Sequence, residues 1–151
     1  MPVDVNKLVT IDNDLRTINI PSGISILGVQ YDDDVHKICF EMPRHVSDTD
    51  LSDFSIRVNY KNPNGDGDVF EVEDKVVNED TITFSWVVGP TAFLSVGDVL
   101  FSICLKKYAD DGIVDKEYNT TIAKLPVLEG LETSPLVVRE NADVLERWKL
   151  E

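Results

Sequence analysis

Basic residues are scarce in this chain. Its 151 residues include 14 Lys and Arg against 28 Asp and Glu, a net charge of -14. Nucleic-acid binding rests largely on cations that neutralise phosphates, and anionic membrane surfaces attract basic segments. Neither partner is expected, whereas a basic protein would be steered towards this chain. Cysteine is scarcer still, and two of them make no disulfide scaffold. His36 and His45 are the only histidines, and His36 with Cys39 offers too few ligands for a zinc site. Long hydrophobic runs are missing too. No stretch approaches the ~18 apolar residues of a membrane span. The start, MPVDVNKLVTIDND, lacks the basic and apolar regions of a signal peptide, so synthesis and first use in a cytoplasm are expected. No GxSxG, HExxH or Walker sequence occurs. Ser47, Ser52 and Ser55 lie near His45 and Asp48, but sequence proximity makes no triad, and no pair of acids stands out. The expectation is a non-enzyme without a cofactor.

What the chain has is alternation. LRTINI (15–20), GISILGVQY, VHKICFEM, FSIRVNY, VFEVEDKVV, ITFSWVV, VLFSICLK and EYNTTIAKL all read as strands, separated by turn formers. Ile82, Phe84, Trp86 and Val88 share one face of their strand, as do Val99, Phe101, Ile103 and Leu105 of theirs. Such stripes predict an all-β, antiparallel immunoglobulin-like β-sandwich, with apolar faces about 10 Å apart. In the connector GPTAFLSVGD, Phe93 or Leu94 is expected to plug one end of the core. LPVLEGLETSP, residues 125–135, breaks the pattern with two prolines and a glycine. Beyond it NADVLERWK reads as a short helix, with Asn141 as N-cap and Val144, Leu145 and Trp148 in one stripe. The predicted organisation is an N-terminal arm at 1–13, a β-sandwich domain at 14–126, and a linker and C-terminal arm with a short helix at 127–151. A helix of about ten residues is marginal alone in water. Leu136, Val137, Val144, Leu145 and Trp148 are therefore the candidate oligomer or partner contacts.

Three other features suggest chemistry. Asn64, Asp66 and Asp68 alternate in the loop NPNGDGD like the first half of a calcium loop, but the distal bidentate acid is missing. No metal is expected there, and Asp32, Asp33 and Asp34 read as a solvated turn. Cys39 and Cys104 flank Trp86 as in an immunoglobulin domain, yet both alternate away from the apolar stripes, so free thiols are expected. Tyr31, Tyr108 and Tyr118 are the aromatics that could serve an alternative function, a carbohydrate-binding module for host-surface glycans.

The runs INIPSGISILGVQYDDDVHKICFEMPR, FSIRVNYKNPNGDGDVFEV and TFSWVVGPTAFLSVGDVLFSICLKK resemble domains in phage and prophage structural proteins of Gram-positive gut bacteria. They look like the N-terminal sandwich of upper-baseplate or fibre-base proteins. The resemblance covers about residues 14–130. It implies a virion protein, made in the host bacterial cytoplasm, whose sandwich anchors to other virion proteins in a homo-oligomer. In that family later segments form a stalk or a host-binding module, whereas here one short predicted helix follows. A baseplate or fibre-base adaptor, or a capsid decoration protein, fits that length.

Overall fold

Alternating burial organises the molecule, as the computed structural model shows for residues 7–12, 14–33 and 36–131. The strands are β1 (Leu8–Ile11), β2 (Ile18–Asn19), β3 (Gly28–Val29), β4 (Lys37–Pro43), β5 (His45–Val46), β6 (Thr49–Asp50), β7 (Ser55–Lys61), β8 (Gly67–Glu71), β9 (Val76–Val77), β10 (Thr81–Val87), β11 (Gly97–Tyr108), β12 (Val114–Asn119) and β13 (Ala123–Leu128). One sheet runs β2-β1-β4-β10-β9, and the second runs β3-β13-β11-β7-β8 with β12 also on β11. β5 and β6 form a small ribbon. The fold is all-β. Most pairs are antiparallel, but β1 runs parallel to β4 and β3 parallel to β13, so the purely antiparallel expectation needs correcting.

The core lies between the two sheets. Ile38, Phe40 and Met42 of β4 and Ile82, Phe84 and Trp86 of β10 are buried from one side. Ile56, Val58 and Tyr60 of β7 and Val99, Phe101, Ile103 and Leu105 of β11 are buried from the other. Aromatic rings join the layers. Phe40 stacks on its neighbour Phe84 at 5.1 Å, while Phe101 meets Phe40 edge-on at 6.4 Å and lies tilted against Trp86 at 5.3 Å. Tyr60 closes the row against Trp86 at 5.1 Å. Offset and edge-on pairs of this kind contribute roughly 0.5–1.5 kcal/mol each beyond the area they bury. Phe93, in the short 3-10 helix Pro90–Phe93, plugs one end of the core, while Leu94 is exposed. The plug needs Gly28 beneath it, because a Cβ there would come within 2.6 Å of Phe93 Cε1.

Several boundaries differ from the sequence reading, each for a local reason. For the arm at 1–13 the sequence left open a free segment or an edge strand; Leu8–Ile11 is a strand, and it lies between β2 and β4 with Val9 and Ile11 buried. LVTI alternates too briefly to stand out, but it satisfies the edge of β4. Of 15–20 only Ile18–Asn19 is strand. Leu15 is 69% exposed in a turn whose Asp14 and Leu15 N–H groups donate to Asp12 Oδ1. Of GISILGVQY only Gly28–Val29 pairs. VFEVEDKVV divides between sheets, as β8 in the second and β9 in the first. EYNTTIAKL is broken by a bulge, where three residues, 120–122, stand opposite two, 102 and 103. The Thr120 hydroxyl spans the break by accepting from Ile103 N–H at 2.9 Å.

β13 also runs to Leu128, past the expected domain end at 126. Pro126 fits this strand because its carbonyl accepts from Leu27 N–H on the β3 side. A strand residue aims its N–H and C=O to the same side, so the missing proline donor falls there, away from the β11 ladder. The expected C-terminal helix lies outside the described residues. Among the described residues no helix is long and apolar enough to cross a membrane.

Candidate interaction surface

The expected contact residues Leu136, Val137, Val144, Leu145 and Trp148 lie outside the described residues. The other candidates fall on three parts of the fold. In the β7–β8 hairpin Asn64, Asp66 and Asp68 are all exposed, and the Asp68 carboxylate turns back onto the connector. Its Oδ2 accepts from the Tyr60 and Thr91 hydroxyls, each at 3.2 Å, and its Oδ1 from Val69 N–H at 2.8 Å. The Val69 N–H bond and the two hydroxyls hold the Asp68 carboxyl below its ordinary pKa, against a smaller opposing effect of burial. Asn62, the first residue of that loop, organises it. It is 3% exposed, donates to Thr91 O at 2.9 Å and accepts from Asp66 N–H at 3.0 Å. Among the described residues no group of three or more His, Cys, Asp or Glu is placed to share a metal ion.

Tyr31 and Tyr108 are exposed, but Tyr118 is buried, with the Arg16 guanidinium 4.5 Å over its ring, and so is lost as an exposed aromatic. Tyr118 is inward because it pairs with Leu105, whose side chain faces the core. His36 packs against Phe93 at 5.6 Å and meets Asp32 at 2.6 Å. The Val29 N–H and then His36 lower the Asp32 pKa. Both cysteines are free, as expected, and burial pushes the Cys104 thiol pKa up, which makes it a poor nucleophile.

The two sheets turn different outer faces to solvent. The first carries Lys37, Cys39 and Glu41 of β4 and Thr83 and the buried Ser85 of β10, around a shallow depression of about 470 Å³. The crossover from β8 to β9 leans on it. Asp74 there accepts from the Ser85 hydroxyl, and from Ser85 N–H at 3.0 Å. Burial raises the Asp74 pKa, but these hydrogen bonds outweigh it and leave the carboxyl below its ordinary value. Lys75 ties the same crossover down, donating to the carbonyls of Ser52 at 2.6 Å and Phe54 at 3.0 Å.

The outer face of the second sheet is open and more apolar. Val69 on β8, Leu100 on β11, Ile122 in the bulge and the neighbours Val29 and Leu128 are all exposed on it. A depression of about 200 Å³ lies between Asn59, Lys61, Leu100, Ser102 and Ile122. Charges around it pair within the face: Arg57 with Glu71 at 3.0 Å, Lys124 with Asp98 at 3.7 Å, and Lys106 with Glu117 at 3.8 Å. Such exposed pairs contribute little stability, but they leave the face close to electrically balanced. The alternation that buries Val99, Phe101 and Ile103 dictates that Leu100 and Ser102 face outward. What sequence reading missed was that Leu100, an apolar residue on the polar phase of its strand, marks this surface.

No family model matches this chain, and no curated protein matches it. Among solved structures it is similar to the N-terminal domain of phage TP901-1 ORF48, with a TM-score of 0.51 and 11% identity. The match covers 82% of this chain and 97% of that one. The likeness is one of fold.

Proposed function

We propose that this chain is a non-enzymatic structural protein of a phage virion, a baseplate or fibre-base adaptor or a capsid decoration protein. The observation that carries the reading is the shared fold with a phage protein's N-terminal domain, matched over nearly all of that domain. In this reading the two facing sheets form an immunoglobulin-like sandwich that supplies rigidity. Assembly uses the sandwich surface together with the C-terminal segment, through Leu136, Val137, Val144, Leu145 and Trp148. The partners are other virion proteins and further copies of this chain. The chain is made in the host cytoplasm and ends in the particle. An open apolar surface over a filled core supports a protein whose work is contact rather than turnover.

The test is the composition of purified virions. Quantitative mass spectrometry of particles from a strain producing this chain should find it in multiple copies per particle. Its absence from particles, with the chain abundant in the lysate, would overturn the reading. Deleting residues 134–151 should leave a folded domain with weakened assembly, and unchanged assembly would remove that segment from the account. A glycan-binding module is not adopted, because Tyr118 is in the core.

A further inference from the structure

We infer that the outer face of the second sheet is where a second copy of this chain docks, face to face about a two-fold axis. Three observations converge. The first is apolar exposure. Val69, Leu100, Ile122, Val29 and Leu128 stand out on one sheet face, with Ile122 69% and Leu100 39% exposed. Side chains on the outer side of a sheet are ordinarily polar. The second is shape. Pleated sheets pack face to face at about 10 Å, and this face combines a projecting side chain, Ile122, with a depression of about 200 Å³ beside Ser102. A self-complementary contact needs a projection and a recess on the same patch.

The third observation selects the occupant. The chain carries a net charge of -14, so two copies repel over most of their surfaces. The second sheet's outer face is an exception. Its charges pair off as Arg57–Glu71, Lys106–Glu117 and Lys124–Asp98, and Lys61 has no ion pair among the described residues. A second copy approaching here meets a nearly balanced surface, with Glu73 offsetting Lys61, rather than a field of its own sign. A basic partner has stronger attractions elsewhere, such as Glu79 and Asp80, which adjoin β9 and β10 of the first sheet. The face therefore suits a copy of the acidic chain itself. This inference shares with the proposed function only the idea of assembly through the sandwich surface, and it does not depend on where the assembly occurs.

Sedimentation of the full-length chain at concentrations on the order of 1–100 µM tests it in solution, apart from any virion. The wild-type chain should form dimers, and added salt should tighten them by screening the repulsion between the two acidic bodies. Ile122→Lys should weaken dimerisation about tenfold or more, as loss of a central apolar anchor does. Leu100→Thr should act in the same direction. Thr83→Lys, on the outer face of the first sheet, should leave dimerisation unchanged. All three variants should keep the wild-type unfolding midpoint when measured below the concentration at which dimers form, which separates lost contact from lost fold. A wild-type monomer throughout that range would overturn the inference and leave the virion reading standing. So would an Ile122→Lys chain that dimerises like wild type, or a dimer that loosens as salt is added.

Discussion

The two outer faces of this molecule start from the same strand chemistry and end differently. On the first sheet Thr81, Thr83 and Ser85 face outward, and the chain covers part of them itself, with Asp74 and Lys75 tying the β8–β9 crossover down. Hydrogen-bonding capacity is spent within the chain. On the second sheet the outward positions include Leu100 and Val69, and the bulge at 120–122 adds Ile122. The described chain does not cross over these apolar groups. The difference separates a sheet face closed by its own crossover, which serves stability, from one left open with apolar side chains, where the proposed contact lies.

The largest effect should come from the layer beneath both faces. Trp86→Ala removes the ring that joins Tyr60 and Phe101 across the core and should cost about 3–5 kcal/mol, read as a lower urea midpoint. It should weaken both faces alike. A smaller loss would mean that the sheets are not held by their aromatic row. Asn62→Ala comes next. It strips a buried amide that links the β7–β8 hairpin to Thr91 and leaves the Thr91 carbonyl short of a donor, at about 1–3 kcal/mol by chemical denaturation.

Ser85→Ala sharpens the comparison, because it touches the closed face alone. Losing the hydroxyl that Asp74 accepts should cost roughly 1–2 kcal/mol near neutral pH, with no change in self-association. The penalty should depend on pH. The Asp74 carboxyl is held below its ordinary value of 3.8 in the folded chain, so its stabilisation is present above the unfolded value. It is lost as the pH falls through the lower, folded value. Stability curves of wild type and Ser85→Ala should therefore converge in acid, and a gap independent of pH would contradict the assignment. The smallest effect on folding, within about 0.5 kcal/mol, is expected for Leu100→Thr on the open face, where the change should instead appear in association.

The central strands were legible in the sequence, and the reason is physical. In β7, β10 and β11 every second residue is apolar and buried, and so is its ladder partner, so alternation, burial and partner all agree. Both free thiols followed from the same phase argument, while the connector left Phe93 or Leu94 as the end plug and packing selects Phe93. Elements whose role depends on distant residues did not show. Val76 and Val77 look continuous with β8, yet they pair with Ile82 and Thr83 in the other sheet. Val9 and Ile11 become buried only because β4 offers them an edge. Asn62 gains its meaning from Thr91, which no local pattern could supply. Leu100 was readable as an apolar residue out of phase, but Ile122 gains its exposure from the bulge, and the bulge depends on how 120–122 meets β11.

Hydroxyl-radical footprinting of the full-length chain at low and high concentration addresses the contrast between the faces most directly. The account predicts that oxidation of Val69, Leu100 and Ile122 falls about threefold or more as copies associate, while Leu8, Thr83 and Val76 on the other face stay unchanged. Equal oxidation at both concentrations for Leu100 and Ile122, or protection confined to the first sheet, would contradict it.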